Sequence, residues 1–189
     1  MVTAGAAVQW LRDGLGLIGD AAESSELARS VPDSGGVWAV PAFQGLGTPS
    51  MDSGARAMIG GLSRGSGPAE ITRAVLDGVA HRVVDAAESL WQTDPRPPVL
   101  RVDGGASRND YLMGRQADLL GIVVERGQVS DAAALGAAEL AGLGSGLWGS
   151  QQDLDQLWHV ESRFEPGLSE DQRLSERELW GKRLEALSL

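Results

Sequence analysis

The stretch Asp103-Gly-Gly-Ala-Ser-Arg-Asn109 has residue types and a spacing that suit nucleotide binding. A hydrophobic run ends at Gly104 and Gly105 and leads directly into a predicted helix. Glycine has no Cβ, so a ligand can approach the main chain closely, and the start of a helix offers N–H groups that attract phosphate. Asn109, in the first predicted helical turn, has an amide that suits a ribose or a base. A plain strand–helix connection explains the pattern equally well, so the motif alone leaves both interpretations open.

A second motif, G-x-S-x-G centred on Ser63, is typical of a hydrolase nucleophile. In the usual chain order, His159 would then be the base, with Asp118 or Asp131 as the acid. Such a nucleophile requires a helix to start immediately after the serine, whereas Pro68 opens the predicted helix about five residues later. The spacing argues against a serine hydrolase but leaves it as an alternative.

Three further patterns receive structural rather than catalytic interpretations. G-x-G-x-x-G occurs at residues 14–19 and 144–149, but both copies end predicted helices instead of joining a strand to a helix. Lys182 is the only lysine, so a phosphate-binding loop with a Walker lysine is absent from the sequence. Asp52 and Arg56, in a loop rich in Gly and Pro, suit a base and a phosphate clamp, although an ion pair that fixes the loop is the favoured interpretation.

The composition excludes several classes of function. A net charge of −10 disfavours nucleic acid and anionic membranes as partners, and no run approaches the roughly 20 apolar residues of a membrane span. The absence of cysteine excludes disulfides and thiolate metal sites, and we expect a cytoplasmic protein. Two histidines, His81 and His159, are too few for a histidine-rich metal site, and His81 is predicted to be a packing or surface residue of a long helix.

Alternating strands and helices predict an α/β fold. The predicted strands are residues 37–40, 57–62, 99–102 and 122–125, and the predicted helices are residues 68–91, 107–120 and 132–143. A helical pattern already starts at the N-terminus, and no complete element precedes Gly5, so we expect the sequence to begin inside a fold. The composition becomes polar after Gly149, which predicts one domain over residues 1–150 and a helical tail over residues 151–189 that packs on it.

Six segments, in order, resemble the FGGY carbohydrate kinases and, within them, the glycerol kinases. The most specific are VPAFQGLGTP from Val40, AMIGGL from Ala57 with EITRAVLD seven residues later, and LRVDGGASRN from Leu100. The other matching segments are residues 4–13, 134–138 and 164–167. The chain departs from the family at Ser50-Met-Asp-Ser53, where an aromatic-Trp-Asp-Pro sequence is usual, and at Ala57, where glycine is usual. These departures affect loop packing rather than nucleotide contacts.

This resemblance implies a fold and a binding site. The family has two actin-like, RNase H-like α/β domains around a cleft, each with a mixed sheet flanked by helices, and ATP lies mainly on the C-terminal domain. By similarity, Gly5 and Gln9 are contacts at the phosphate and ribose side of ATP or ADP. Gly105, with Gly104 beside it, is the main-chain contact under the nucleotide. Asn109 is the residue near adenosine.

The resemblance also implies a reaction, in which the γ-phosphoryl group of ATP is transferred to glycerol or a related polyol. The catalytic aspartate, the polyol contacts and most Mg²⁺ ligands would belong to an N-terminal domain outside this chain. No catalytic or metal-binding residue is therefore assigned, and the chain alone is expected to be inactive. A homo-oligomer is expected. A xylulokinase-like member of the family and a non-catalytic nucleotide-binding fragment remain alternatives.

Overall fold

The computed structural model describes residues 4–129, 131–155 and 157–188. Its larger helices and its strands alternate along most of the chain, as an α/β fold requires. The helices are α1 (Ala4–Gln9), α2 (Glu23–Arg29), α3 (Pro68–Trp91), α4 (Asp110–Leu120), α5 (Ala132–Ser145), α6 (Gln151–Asp155) and α7 (Glu170–Glu185). The strands are β1 (Trp38–Val40), β2 (Met58–Gly60), β3 (Val99–Val102), β4 (Val123–Gly127) and β5 (Val160–Phe164). A π-helical turn, Trp10–Gly14, follows α1, and 3-10 turns lie at Gly105–Arg108 and Ala186–Ser188.

The strands form two sheets within the described residues. β1 and β2 pair antiparallel, and the second sheet has the order β3-β4-β5. β3 runs parallel to β4, which places the connecting helix α4 against the sheet, whereas β5 runs antiparallel to β4. This mixed sheet with helices packed on it agrees with the predicted fold class.

Helix α3 is the central element of the core, and its start is encoded locally. Pro68 occupies the first turn, where its missing N–H costs nothing, and the Glu70 carboxylate accepts a hydrogen bond from the Gly67 N–H at 2.8 Å. Buried residues of α3, including Val75 and Val79, pack in one hydrophobic cluster with α1, α4 and the sheet. The bounds of α3 are those that the sequence predicted.

Two of the helices predicted before residue 150 differ from the structure. The helix expected over residues 107–120 is instead a 3-10 turn and α4, separated by Asn109 with an extended backbone (φ −85°, ψ 100°). The helix expected from the N-terminus towards Ile18 ends in the π-helical turn, and α2 follows where no helix was predicted. The hydrophobic periodicity of the sequence did not reveal these breaks. Each break depends on a single residue, either one with a capping side chain or a glycine.

The segment after Gly149 contains a strand as well as the predicted helices. β5 adds to the edge of β4, with Phe164 opposite Val124 and a register shift between Arg126 and Gly127. The prediction assigned helix to residues 151–189 and missed this strand, whose sequence VESRF is largely polar and mostly exposed. The sheet therefore contains strands from both sides of the predicted boundary at residue 150, and the boundary itself stays a prediction.

A buried polar cluster joins α7 to α3, and we call it the α3–α7 clamp (Arg82, Asp85, Arg177 and Trp180). The Asp85 carboxylate, in a residue only 8% exposed, accepts hydrogen bonds from Arg82 at 2.7 Å, Arg177 at 2.6 Å and the Trp180 indole at 3.0 Å. Arg82 also donates to the Thr48 carbonyl, so the clamp reaches the loop after β1. Buried charges are stable only when they are paired in this way.

His81 lies next to the α3–α7 clamp and has the packing role that the sequence predicted. The residue is 3% exposed, and its ring stacks on Trp180, with centroids 4.8 Å apart and planes at 6°. Burial, together with the charges of Arg177, Arg115 and Arg183, lowers the pKa of His81 to about 2. Arg177 can only donate, so the 3.2 Å contact makes Nδ1 of the neutral ring the acceptor.

Candidate functional site

β3 ends at an open turn, which we call the glycine bend (residues 103–105). Gly104 has φ 82° and ψ 177°, a conformation that only glycine adopts readily, and Gly105 begins the 3-10 turn. A Cβ placed on either glycine would meet no other atom of the protein within 4 Å. Gly105 is also exposed, so a ligand can lie directly against its main chain.

Side chains behind the glycine bend hold it in this shape. Both the N–H and the hydroxyl of Ser107 donate to the Gly104 carbonyl, at 3.1 Å and 2.7 Å. Arg126 then donates to the Ser107 carbonyl at 2.7 Å and to the Asp110 carboxylate at 2.8 Å. Burial works against the charge of Arg126, but its bonds to Asp110 and Glu161 raise its pKa overall. The open surface is thus backed by a charged, hydrogen-bonded support.

The sequence interpretation did not include Ser107 or Arg126 in the site. A serine two residues after a Gly-Gly pair is a recognisable local turn signal, because its hydroxyl can bond back to a main-chain carbonyl. Arg126 offered no such signal, since its partners lie 16 to 36 residues away along the chain. Only the fold brings them together.

Asn109 is a helix cap rather than a residue of the first helical turn. Its Oδ1 accepts from the Leu112 N–H at 2.9 Å, and its Nδ2 donates to the Ser24 hydroxyl at 2.9 Å. These bonds start α4 and tie it to α2. Both atoms of the amide already have a partner within the chain, so the amide is held in place next to the glycine bend.

The remaining predicted site residues lie on α1. Gly5 and Gln9 are both exposed and are one helical turn apart, so they share a face of the helix. α1 lies against the 3-10 turn Gly105–Arg108 and against α3. The fold therefore places Gly5 and Gln9 on the element beside the glycine bend, although Gln9 and Gly104 are 95 positions apart in the sequence.

The geometry does not support the serine hydrolase alternative. The Ser63 hydroxyl contacts the Ser66 hydroxyl at 3.3 Å and the Gly65 N–H at 3.2 Å, and both lie in its own turn. Asp118 accepts from the Gly167 N–H at 2.7 Å, and Asp131 accepts from the N–H of Ala134 as a helix cap. The hydroxyl and both candidate acids thus make structural hydrogen bonds rather than those of a catalytic triad.

The pairing predicted between Asp52 and Arg56 was also wrong. Asp52 accepts from the Gly54 N–H at 2.8 Å and from the Ala55 N–H at 3.2 Å, so it shapes its own loop. Arg56 donates to main-chain carbonyls of the same loop, the best at 2.9 Å to Gly54. Both side chains stabilise the loop, but through the backbone and not through each other.

The described part of the chain contains no group of three or more Asp, Glu, His or Cys residues placed to hold a metal ion. Among the same residues, no helix is long and apolar enough to cross a membrane.

A cavity of about 570 Å³ lies between α3, α4 and α7, and none of the five predicted nucleotide contacts lines it. The glycine bend is therefore an open surface, separate from that cavity.

Residues 1–145 match the C-terminal domain of the FGGY family of carbohydrate kinases. The chain belongs to this family. It is 49% identical to glycerol kinase 2 of Thermotoga maritima over 185 residues, and 51% identical to a glycerol kinase of Nitratidesulfovibrio vulgaris over 172 residues. These matches cover 97% and 90% of the chain, which spans only 37% and 34% of the two relatives.

Solved structures of FGGY kinases have the same fold. A crystal structure of Plasmodium falciparum glycerol kinase with ADP superposes with a TM-score of 0.89 at 32% identity, over 99% of this chain and 37% of that one. A xylulose kinase from Lactobacillus acidophilus superposes with a TM-score of 0.83 at 21% identity, over 97% of this chain and 38% of that one. The predicted family and the actin-like fold class are thereby confirmed.

Proposed function

We propose that this chain is the nucleotide-binding part of an ATP-dependent glycerol kinase, which transfers the γ-phosphoryl group of ATP to glycerol. The open glycine bend at the end of β3, in an FGGY C-terminal domain, is the observation that carries the proposal. Curated relatives at about half identity are named glycerol kinases, and the similar Plasmodium falciparum structure is of a glycerol kinase with ADP. The xylulose kinase likeness is at 21% identity, which favours glycerol over xylulose as the acceptor.

In this proposal the nucleotide lies along a surface made by the glycine bend and α1. Gly105 is the main-chain contact under the nucleotide, because it is exposed and its missing side chain leaves room. Gly5 and Gln9 face the phosphate and ribose side from the neighbouring helix. Asn109 lies near adenosine and acts mainly by fixing the start of α4, since its amide already bonds to Ser24 and Leu112.

The other residues that the reaction needs belong to the region of the related kinases that this chain does not match. We place the catalytic base, the glycerol contacts and most ligands of Mg²⁺ there. Phosphoryl transfer depends on positioning and on neutralising charge, so an isolated nucleotide surface gives no turnover and binds ADP weakly. The predicted cytoplasmic location and homo-oligomeric state remain predictions.

The test uses a fused kinase, in which this chain replaces the matching C-terminal part of Thermotoga maritima glycerol kinase 2. Gly105→Ala adds one methyl group where the protein has no atom within 4 Å, so the fold should be unaffected. Against a bound nucleotide the same methyl group collides, and we expect the Kd for ADP to rise at least about tenfold, or about 1.4 kcal/mol. Titration calorimetry measures the Kd, and thermal unfolding checks the fold.

Gly181→Ala is the matched control, because a Cβ at Gly181 also meets no atom within 4 Å but lies on α7. It should leave the affinity for ADP unchanged. Equal ADP affinities for the two variants, or no ADP binding by the fused kinase, would overturn the proposed site. The acceptor is tested separately, with a panel of polyols and sugars on a complete kinase in which this chain has its own N-terminal part; activity with xylulose but not with glycerol would replace the proposed acceptor.

A further inference from the structure

The carboxylate of Glu161, on β5, binds two arginines at once. It accepts a hydrogen bond from Nε of Arg126 at 2.8 Å, and both of its oxygens accept from Nη1 of Arg108 at 2.9 Å. Arg126 lies on β4, and Arg108 ends the 3-10 turn that begins at Gly105. Partial burial opposes the charge of Glu161, but the bonds from Arg126 and Arg108 lower its pKa overall. An ionised carboxylate on β5 therefore joins the sheet to the turn beside the glycine bend.

Arg126 connects Glu161 to the glycine bend. Its Nη1 donates to the Ser107 carbonyl at 2.7 Å and to the Asp110 carboxylate at 2.8 Å, and its Nη2 donates to the Ser162 hydroxyl at 2.9 Å. All three guanidinium nitrogens thus have partners, and the side chain is only 10% exposed. A guanidinium group is planar and rigid, so bonds on every side fix both its own position and that of the Ser107 carbonyl.

Packing alone does not fix the shape of the glycine bend. A Cβ on Gly104 or Gly105 would meet no described atom within 4 Å beyond the adjoining residues. Glycine also has a wider range of backbone conformations than any other residue, so hydrogen bonds must hold Gly104 at φ 82°. Its carbonyl accepts from the N–H and the hydroxyl of Ser107, at 3.1 Å and 2.7 Å. The position of Ser107 therefore determines the shape of the bend, and Arg126 holds Ser107.

β5 supplies most of the surroundings of Arg126, although it lies after the part of the chain that the family model matches. That match ends at residue 145, whereas β5 is Val160–Phe164. Besides Glu161 and the Ser162 hydroxyl, β5 contributes Phe164, whose ring centroid lies 5.6 Å from the guanidinium carbon of Arg126. The segment after the matched domain therefore takes part in the geometry of the bend.

We propose that Glu161 and Arg126 act together as positioning residues of the nucleotide site, so that β5 sets the affinity of the glycine bend for ADP. Neither side chain contacts the nucleotide, because both act through the Ser107 carbonyl and the main chain of Gly104. The proposal rests on the nucleotide site proposed above. It assigns part of the binding free energy to a strand outside the matched domain.

Glu161→Gln in the fused kinase tests the proposal with little change of side-chain shape. The amide oxygen still accepts from one arginine, but the negative charge that holds both is lost. We expect the Kd for ADP, measured by titration calorimetry, to rise about tenfold, because the bonds that fix Arg126 are charge-assisted. The KM for ATP should rise by a similar factor, whereas the KM for glycerol should stay unchanged.

Glu125→Gln is the matched control, because it makes the same substitution between the same two strands. Glu125 on β4 pairs with Arg163 on β5 at 2.9 Å. Successive residues of a strand point to opposite faces, so this pair lies away from Arg126. Both variants lose contacts between β4 and β5, and thermal unfolding measures the cost to each. Only Glu161→Gln should weaken ADP binding, and equal Kd values for the two variants would overturn the proposal.

A double variant tests whether Glu161 and Arg126 act as one unit. Arg126→Gln should weaken ADP binding at least as much as Glu161→Gln. The double variant should bind ADP no more weakly than Arg126→Gln alone, since both residues act through one carbonyl. Independent losses that multiply to about a hundredfold would overturn the unit. If Arg126→Gln does not fold, Glu161→Gln and its control decide the proposal by themselves.

Arg108→Ala tests the other partner of Glu161. The pair between Arg108 and Glu161 is largely exposed, with side chains 47% and 36% accessible, so its loss should change the Kd for ADP by less than about twofold. A loss as large as that of Glu161→Gln would assign the effect to Arg108 itself. That result would overturn the route through Arg126.

Hydrogen exchange separates this proposal from the proposed nucleotide site. In the fused kinase without nucleotide, Glu161→Gln should speed the exchange of the Ser107 N–H, which bonds to the Gly104 carbonyl, by about tenfold, and Glu125→Gln should not. Normal ADP binding with unchanged exchange in Glu161→Gln removes the positioning role and leaves the nucleotide site. Faster exchange in a fused kinase that binds no ADP removes the nucleotide site and leaves Glu161 and Arg126 as supports of the bend.

Discussion

The α3–α7 clamp and the glycine bend use polar groups in opposite ways. In the clamp, the Asp85 carboxylate accepts bonds from two guanidinium groups and an indole, all in nearly buried side chains. At the bend, Gly105 is exposed, and an added Cβ on either glycine would meet no atom within 4 Å beyond the adjoining residues. The bonds of the clamp are all made within the chain, whereas the bend leaves backbone surface free for another molecule.

This difference separates residues that maintain the fold from residues that bind. A polar group with all its partners in its own chain contributes to stability, and changing it should affect unfolding. An exposed glycine with open space around its missing side chain, as at Gly105, leaves room for another molecule, and changing it should affect ligand binding. Asn109 maintains the fold as the cap of α4, and its position next to the bend is the reason it is also proposed as a binding residue.

The largest effect on stability is expected at the centre of the clamp. Asp85→Ala leaves the buried guanidinium group of Arg82 without a carboxylate and removes the shorter of the two ion pairs of Arg177, which should lower the free energy of unfolding by about 3–5 kcal/mol. Urea denaturation measures the change. Glu178→Ala is the control, because its pair with Lys182 is exposed and should contribute nothing measurable. Equal stability of the two variants would show that the clamp is not needed.

The second effect depends on pH and comes from His81. Its pKa is about 2 in the folded protein and 6.5 in the unfolded chain, so below pH 6.5 the unfolded chain binds one more proton. Stability should therefore fall on acidification, by about 1.4 kcal/mol per pH unit well below pH 6.5. His81→Phe keeps the stacking on Trp180 and should remove this part of the slope. His159→Gln, at an exposed position, should keep it; a wild-type slope in His81→Phe would contradict the burial argument.

The third effect distinguishes the two glycines of the bend. Gly104→Ala forces a side chain into a conformation with φ 82°, which should lower the free energy of unfolding by about 1–3 kcal/mol. The backbone of Gly105 does not have a positive φ, so Gly105→Ala should leave the free energy of unfolding unchanged. It should nevertheless weaken ADP binding. Thermal unfolding of both variants measures the difference. Destabilisation by Gly105→Ala would mean that the bend is less open than described.

The smallest effect is expected at the cap of α4. Asn109→Ala removes the bonds to the Leu112 N–H and the Ser24 hydroxyl, which should lower the free energy of unfolding by about 1 kcal/mol. ADP affinity of the fused kinase should change only slightly if the cap is the main role. A large loss of ADP affinity with unchanged stability would instead assign the amide to the adenosine.

Local signals explain which parts of the fold could be predicted from the sequence. α3 was predicted with its observed bounds, because Pro68 marks the start and a long apolar period follows. β3 and the glycine bend were predicted because a short apolar run ends in two glycines. Gly104, Gly105 and Asn109 were proposed from their residue types and from similarity, and Gly5 and Gln9 from similarity alone. The fold places these residues on adjoining elements.

Long-range contacts explain what could not be predicted. β5 is a strand because β4 offers an edge to it, and its own polar sequence gives little indication of this. The bond between Arg177 and Asp85 joins residues 92 positions apart, and no local sequence pattern indicates it. The break before α4 was missed because a single side chain, that of Asn109, decides where the helix starts.

The bond from the Trp180 indole to Asp85 has a consequence for biosynthesis. The two residues lie 95 positions apart, so a ribosome makes the whole of α3 long before the residue that completes its surroundings. Until Trp180 has been translated, the nascent polypeptide carries the Asp85 carboxylate at a position that the finished fold buries. Enclosure of this carboxylate must therefore wait until Trp180 has been translated, and a chain that stops before Trp180 would leave the carboxylate without its indole partner.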